Sequence, residues 1–102
     1  MTALRSAPPP PLRGDDHVRG DDAAPVVLFY GDFTCPRCAV AHLSLRATAT
    51  RVVFRHLALR AKSSRAVPLA AAAEAAAAQG AFWALHDALY ADQGRTEDPH
   101  LW

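Results

Sequence analysis

The sequence predicts an α/β fold, built on a strand, helix, strand unit and followed by a largely helical region. Three observations carry this. Val26-Val27-Leu28-Phe29-Tyr30 is a short apolar run of β-branched and aromatic residues, with Pro25 before it and Gly31-Asp32 after it. Arg51 to Leu59 is a second such run. Between them, from Cys35 onward, Cys38, His42 and Leu45 recur at the spacing of one helix face. Two strands joined by a helix at this separation imply a parallel crossover.

Taken in order, residues 1–24 hold the prolines Pro8 to Pro11, the acidic pairs Asp15-Asp16 and Asp21-Asp22, and few large apolar side chains. Such a composition does not offset the entropy of ordering, so this stretch is expected to be a disordered tail, its proline run a stiff spacer, with the folded domain occupying 25–102. The first strand should end near Phe33, and its continuous apolar character suits burial on both faces. Thr34 or Cys35 can cap the helix that follows, and Pro36 sits where a missing N–H does no harm. That helix should run to about Thr48.

After the second strand, Lys62-Ser63-Ser64-Arg65 is a polar connection, and Leu69 to Gln79 is nearly all alanine, the best helix former, closed by Gly80. A third helix is expected from Ala81 to Asp92. Phe82, Leu85, His86 and Leu89 form its apolar stripe with Trp83 and Tyr90 alongside, a pattern of core residues, and Gly94 stops it. Asp98-Pro99 has the form of a cap and first helical residue, with only His100, Leu101 and Trp102 beyond it. Two strands alone seldom make a stable sheet, so the fold is expected to be incomplete on its C-terminal side and marginally stable, with an exposed sheet edge through which it can dimerise.

Eleven basic residues face ten acidic ones, for a net charge of +1, so no strong field draws nucleic acid to this chain. No stretch reaches the roughly 18 apolar residues of a membrane span, and the start lacks the apolar core of a signal peptide. Membrane insertion is not expected, and the location is read as cytoplasmic. Thiols are kept reduced there, so two close cysteines point to redox catalysis or metal binding before a structural disulfide.

Those cysteines form Cys35-Pro36-Arg37-Cys38. The thiolate is the nucleophile in disulfide exchange, and Cys35 stands at a strand-to-helix junction where unpaired N–H groups and the helix dipole favour an anion. Arg37 adds a positive charge close by. Cys38, one turn on, can resolve a mixed disulfide held on Cys35, and Pro36 stiffens the loop. Asp32 is either a turn residue or a proton relay beneath the thiols. A metal site from Cys35, Cys38, His42 and His56 is a weaker alternative, because no second Cys-x-x-Cys or paired-histidine motif supports it. An inert structural pair in a binding domain is another. His17, His56 and His100 suggest no constellation, while His42 and His86 read as packing residues.

The segment Gly31-Asp32-Phe33-Thr34-Cys35-Pro36-Arg37-Cys38 resembles the DsbA-like branch of the thioredoxin superfamily. The likeness extends to Asp16-His17-Val18-Arg19-Gly20, to Arg51-Val52-Val53-Phe54-Arg55-His56, and to Ala73-Glu74-Ala75-Ala76 through Gln79-Gly80-Ala81-Phe82-Trp83-Ala84-Leu85-His86-Asp87, so that it spans residues 16–102. It implies a thioredoxin-like fold, with Cys35 as nucleophile and Cys38 as resolving thiol, no organic cofactor, and protein or small-molecule thiols and disulfides as substrates. Similar domains occur as appendages of sodium/proton antiporters, which makes an antiporter an implied partner. Departures are Arg37, where that branch usually has His or Tyr, and Thr34, where Glu is frequent. The branch's cis-proline has no counterpart, since neither Pro68 nor Pro99 lies in a suitable strand. The rival to an oxidoreductase is a noncatalytic interaction or redox-sensor domain that keeps the motif without turnover.

Overall fold

Arg51–His56 is the central strand of a three-stranded sheet in the computed structural model, which describes residues 11–59, 61 and 63–94. In chain order the elements are β1 (His17–Arg19), β2 (Val26–Gly31), α1 (Pro36–Arg46), β3 (Arg51–His56), α2 (Ala66–Ala77) and α3 (Phe82–Ala91). The sheet order is β1-β3-β2. β2 and β3 run parallel, Val26 opposite Arg51 and Gly31 opposite His56, as a helical crossover between them requires. The mixed α/β architecture is that of a thioredoxin-like fold.

β1 corrects the reading of residues 1–24 as a tail and the count of two strands. It pairs antiparallel with β3, His17 opposite Phe54 and Arg19 opposite Val52. Three residues with one valine carry no visible alternation, so the strand is held by what surrounds it. Asp16 receives Arg55 in a bidentate pair, Nε at 2.9 Å and Nη2 at 2.8 Å, with both side chains buried. Arg55 also donates to the Tyr30 hydroxyl and to the main-chain oxygen of Pro11. A carboxylate and a guanidinium removed from water must find each other, and this pair ties the leading segment to the middle of the sheet. Gly20 turns the chain away with φ +123°, where a Cβ would lie 2.5 Å from the Thr50 oxygen.

β2 also differs from expectation. Among the described residues it is an edge strand, and it is covered on one side only: Phe29 and Gly31 are buried while Val26 and Tyr30 are exposed. The remaining boundaries shift modestly. β3 ends at His56, and α2 begins at Ala66, which leaves Pro68 inside the first turn, where its missing N–H costs nothing. Gly80 has φ +73° beyond the end of α2, as a helix-stopping glycine should. The expected helix start at Asp98-Pro99 lies outside the described residues, as do residues 1–10. Among the described residues no peptide bond is cis, and no helix is long and apolar enough to cross a membrane.

The core is aromatic. Phe33 and Phe54 stack at 5.3 Å between centroids, Phe29 and Tyr90 close in on them, and His86 meets Phe54 edge-on at 4.8 Å. Leu69 and Ala73 of α2, with Phe82, Leu89 and Tyr90 of α3, complete it. The stripe on α3 that the sequence shows is thus the face laid on the sheet, and Cys38 and Leu45 bring α1 against the same cluster.

Candidate active site

Backbone geometry places the first cysteine. After β2 the chain turns through Asp32-Phe33-Thr34, closed by the Cys35 N–H donating to the Asp32 oxygen at 3.1 Å. Cys35 is the N-cap of α1 with extended dihedrals, and Pro36 follows in the first turn. The Cys35 main-chain oxygen accepts from the N–H groups of Cys38 and Ala39 at 3.1 and 3.2 Å. The thiol, unlike a serine or aspartate cap, makes no capping hydrogen bond of its own.

The two thiols have opposite acidities. The main-chain N–H of Cys38 is the largest influence on Cys35 and lowers its pKa; the Cys38 thiol and the Arg37 N–H act the same way, against burial and the Asp32 charge. Burial pushes Cys38 up, and proximity to Cys35 and Asp32 adds to it. Both are free thiols. Arg37 therefore helps through its main chain, with its side chain exposed to solvent.

Asp32 is buried at 3% exposure beneath this turn. Burial would raise its pKa, but the Leu59 N–H, the Thr34 hydroxyl and the Thr34 N–H, at 2.8, 2.7 and 2.8 Å, outweigh that and hold the carboxyl below its ordinary range. Of the two roles weighed for Asp32, this geometry is that of a turn anchor. An anion with three donors is a poor proton acceptor, and its charge opposes ionisation of both thiols. Thr34 serves the same turn.

Two residues of the site are absent from the sequence reading in this role. Gln93, in the turn after α3, donates from its side-chain amide to the main-chain oxygens of Phe33 and Cys35. Tyr90 brings a buried hydroxyl without a hydrogen-bond partner of good geometry. Burial first, then the charges of Cys38, Asp32 and Cys35, raise its pKa. No local signal marks either: Tyr90 reads as core from its periodicity, and a glutamine in a loop reads as nothing. The metal quartet of Cys35, Cys38, His42 and His56 does not form. The groups that could hold an ion among the described residues are His17, His56 and Glu74, and His42, His86 and Asp87, neither with a cysteine.

A cavity of about 700 Å³ opens beside the pair, lined by Asp32, Thr34, Cys35, Pro36, Arg37, Leu59 and Ser63. A dithiol in the first turn of a helix that leaves a parallel strand, with its lower-pKa member facing such an opening, defines a thioredoxin-like protein. A family model described as thioredoxin matches residues 13–100, and the chain belongs to that family.

Its relatives include a Na(+)/H(+) antiporter NhaA 1 of Salinispora arenicola, 51% identical over 92 residues, covering 84% of this chain and 14% of that protein. An NhaA 3 antiporter of Salinispora tropica is 51% identical over 84 residues, covering 76% of this chain and 13% of the relative. An NhaA 1 antiporter of Mycobacterium sp. strain KMS is 39% identical over 89 residues, or 80% and 14%. The chain thus spans about one seventh of the curated relatives it matches, consistent with a thioredoxin-like domain appended to them. No solved structure shows significant similarity to it.

Proposed function

We propose that the chain is a thiol-disulfide oxidoreductase of the DsbA-like type, with Cys35 as the attacking and Cys38 as the resolving thiol. The observation that carries this is the asymmetry of the pair: Cys35 is lowered by main-chain N–H groups at a helix start while Cys38, half-buried one turn on, is raised. In the reducing direction the Cys35 thiolate attacks one sulfur of a substrate disulfide, forms a mixed disulfide and expels the other sulfur as a thiolate. Cys38 then loses its proton and attacks the Cys35 sulfur. The Cys35–Cys38 disulfide forms, the second substrate sulfur leaves, and two electrons have passed from the pair to the substrate. A dithiol must then reduce the pair again, and the reverse sequence oxidises a dithiol substrate. No organic cofactor enters either direction.

The relatives' names support an ion-transport partner, so we extend the proposal to association with a sodium/proton antiporter, in a cytoplasmic setting that keeps the pair reduced between turnovers. The test of the chemistry is insulin reduction with a small thiol as donor, together with trapping. Cys38→Ser should accumulate mixed disulfides on Cys35, and Cys35→Ser should abolish exchange. Turnover that survives Cys35→Ser would overturn the assignment, and an inactive wild type would favour the noncatalytic sensor instead.

A further inference from the structure

We propose a divalent-cation site of the zinc class formed by His17 of β1, His56 at the end of β3 and Glu74 of α2. The Nε2 atoms of His17 and His56 donate to the same Glu74 oxygen, Oε2, at 2.6 and 2.8 Å. The ligand atoms of the three residues lie within 4.8 Å of one another. Two imidazole nitrogens and one carboxylate oxygen, converging from three elements, form a donor set that suits zinc and leaves a fourth position to water. Zinc prefers its ligands at roughly 2.0–2.2 Å, which spaces neighbouring donors about 3.4 Å apart, so one group must retreat by less than about 1 Å. Glu74 can do so, because its side chain is 52% exposed.

The two imidazoles are already oriented. His17 lies flat on Phe82 with centroids 3.6 Å apart, and His56 is held edge-on by Phe33, Phe54 and Phe82. His56 Nδ1 is buried without a hydrogen-bond partner, so it can take the proton from Nε2 when the ion replaces the Nε2–H bond to Glu74. On binding, each ring presents a bare Nε2 and keeps its one proton on Nδ1. Glu74 meets both imidazoles through one carboxylate oxygen, which leaves its other oxygen free to turn toward the ion. The residues also line a cavity of about 280 Å³, which leaves room for the ion and its water.

The second cluster, His42, His86 and Asp87, is a poorer candidate. Arg19 holds Asp87 through two hydrogen bonds at 2.7 and 3.1 Å, and His86 is 2% exposed. A cation there would have to displace a guanidinium from a closed position. At the first cluster a bound ion would clamp β1 and α2 to the end of β3.

The experiment uses the 102-residue chain with Cys35→Ser and Cys38→Ser, so that thiolates do not compete, titrated with zinc by calorimetry and with cobalt(II) by visible absorption. One equivalent should bind, and excess zinc should raise the melting temperature by about 5 °C. Glu74→Gln and His17→Gln should each weaken binding by at least about tenfold, while His42→Gln should leave it unchanged. Failure to bind, binding retained in Glu74→Gln and His17→Gln, or binding lost in His42→Gln would overturn the proposal. If His17→Gln disturbs the fold by circular dichroism, the half-exposed Glu74→Gln decides alone.

Discussion

The side-chain amide of Gln93 donates to the main-chain oxygen of Cys35 at 3.0 Å, across 58 positions of sequence, and to that of Phe33 at 2.9 Å. One side chain thus pins both ends of the turn that carries Cys35 to the end of α3. The Phe33 oxygen matters most here, since the Cys35 oxygen also accepts from two helix N–H groups. Gln93→Ala should lower stability by about 1 kcal/mol and speed hydrogen exchange at the amides of Cys35 and Cys38. Unchanged exchange there, measured at equal temperature, would show that the amide does not hold the turn.

Arg37 should matter less than its charge suggests. It supports the Cys35 thiolate with its main-chain N–H, which any non-proline residue keeps, and its side chain is exposed. An exposed charge near a helix start is worth about 0.3–1 kcal/mol, so Arg37→Ala should move the pH profile of Cys35 alkylation by less than about one unit. A larger upward shift would restore the guanidinium as the main support.

Gly31 ends β2 directly under the aromatic cluster. A Cβ there would lie 2.5 Å from ring atoms of both Phe29 and Phe54 and 2.7 Å from the Tyr90 hydroxyl. Three side chains of a packed core cannot all retreat, so Gly31→Ala should cost about 1–3 kcal/mol by denaturant unfolding. A neutral effect would mean that the rings repack freely.

Acid should loosen the fold before most carboxylates titrate. Burial pulls the His86 pKa from 6.5 down to about 4, against the hydrogen bond it donates to Asp87, and His42 shifts the same way. Both rings are therefore neutral when folded, and the unfolded chain takes up their protons first. Stability should be full above about pH 6.5 and fall as the pH drops toward 4; His86 accounts for about 3 kcal/mol at most. Glu74, Asp32 and Asp87 have lowered pKa values, so their losses begin in the ordinary carboxylate range, about pH 4, and deepen as the pH falls further. His86→Gln should flatten the midpoint between pH 6.5 and 4.5, and a loss confined to below pH 4 would contradict this assignment.

By itself the sequence determined the parallel strand, helix, strand unit, the two later helices and the position of the dithiol. Each is written in neighbouring residues: apolar runs bounded by proline and glycine, a 3.6-residue stripe, a proline in a first turn, and cysteines three apart. Covalent spacing and the helix terminus are local, so the opposite pKa shifts of Cys35 and Cys38 follow from neighbouring residues too. Tertiary structure decided the rest. β1 exists because Asp16 reaches Arg55, an ion pair 39 residues apart that no periodicity announces. Asp32 became a turn anchor because the Leu59 N–H comes to it from the end of β3. Gln93 and the meeting of His17, His56 and Glu74 likewise arise where distant elements cross, since hydrogen bonds act over about 3 Å of space whatever the separation along the chain.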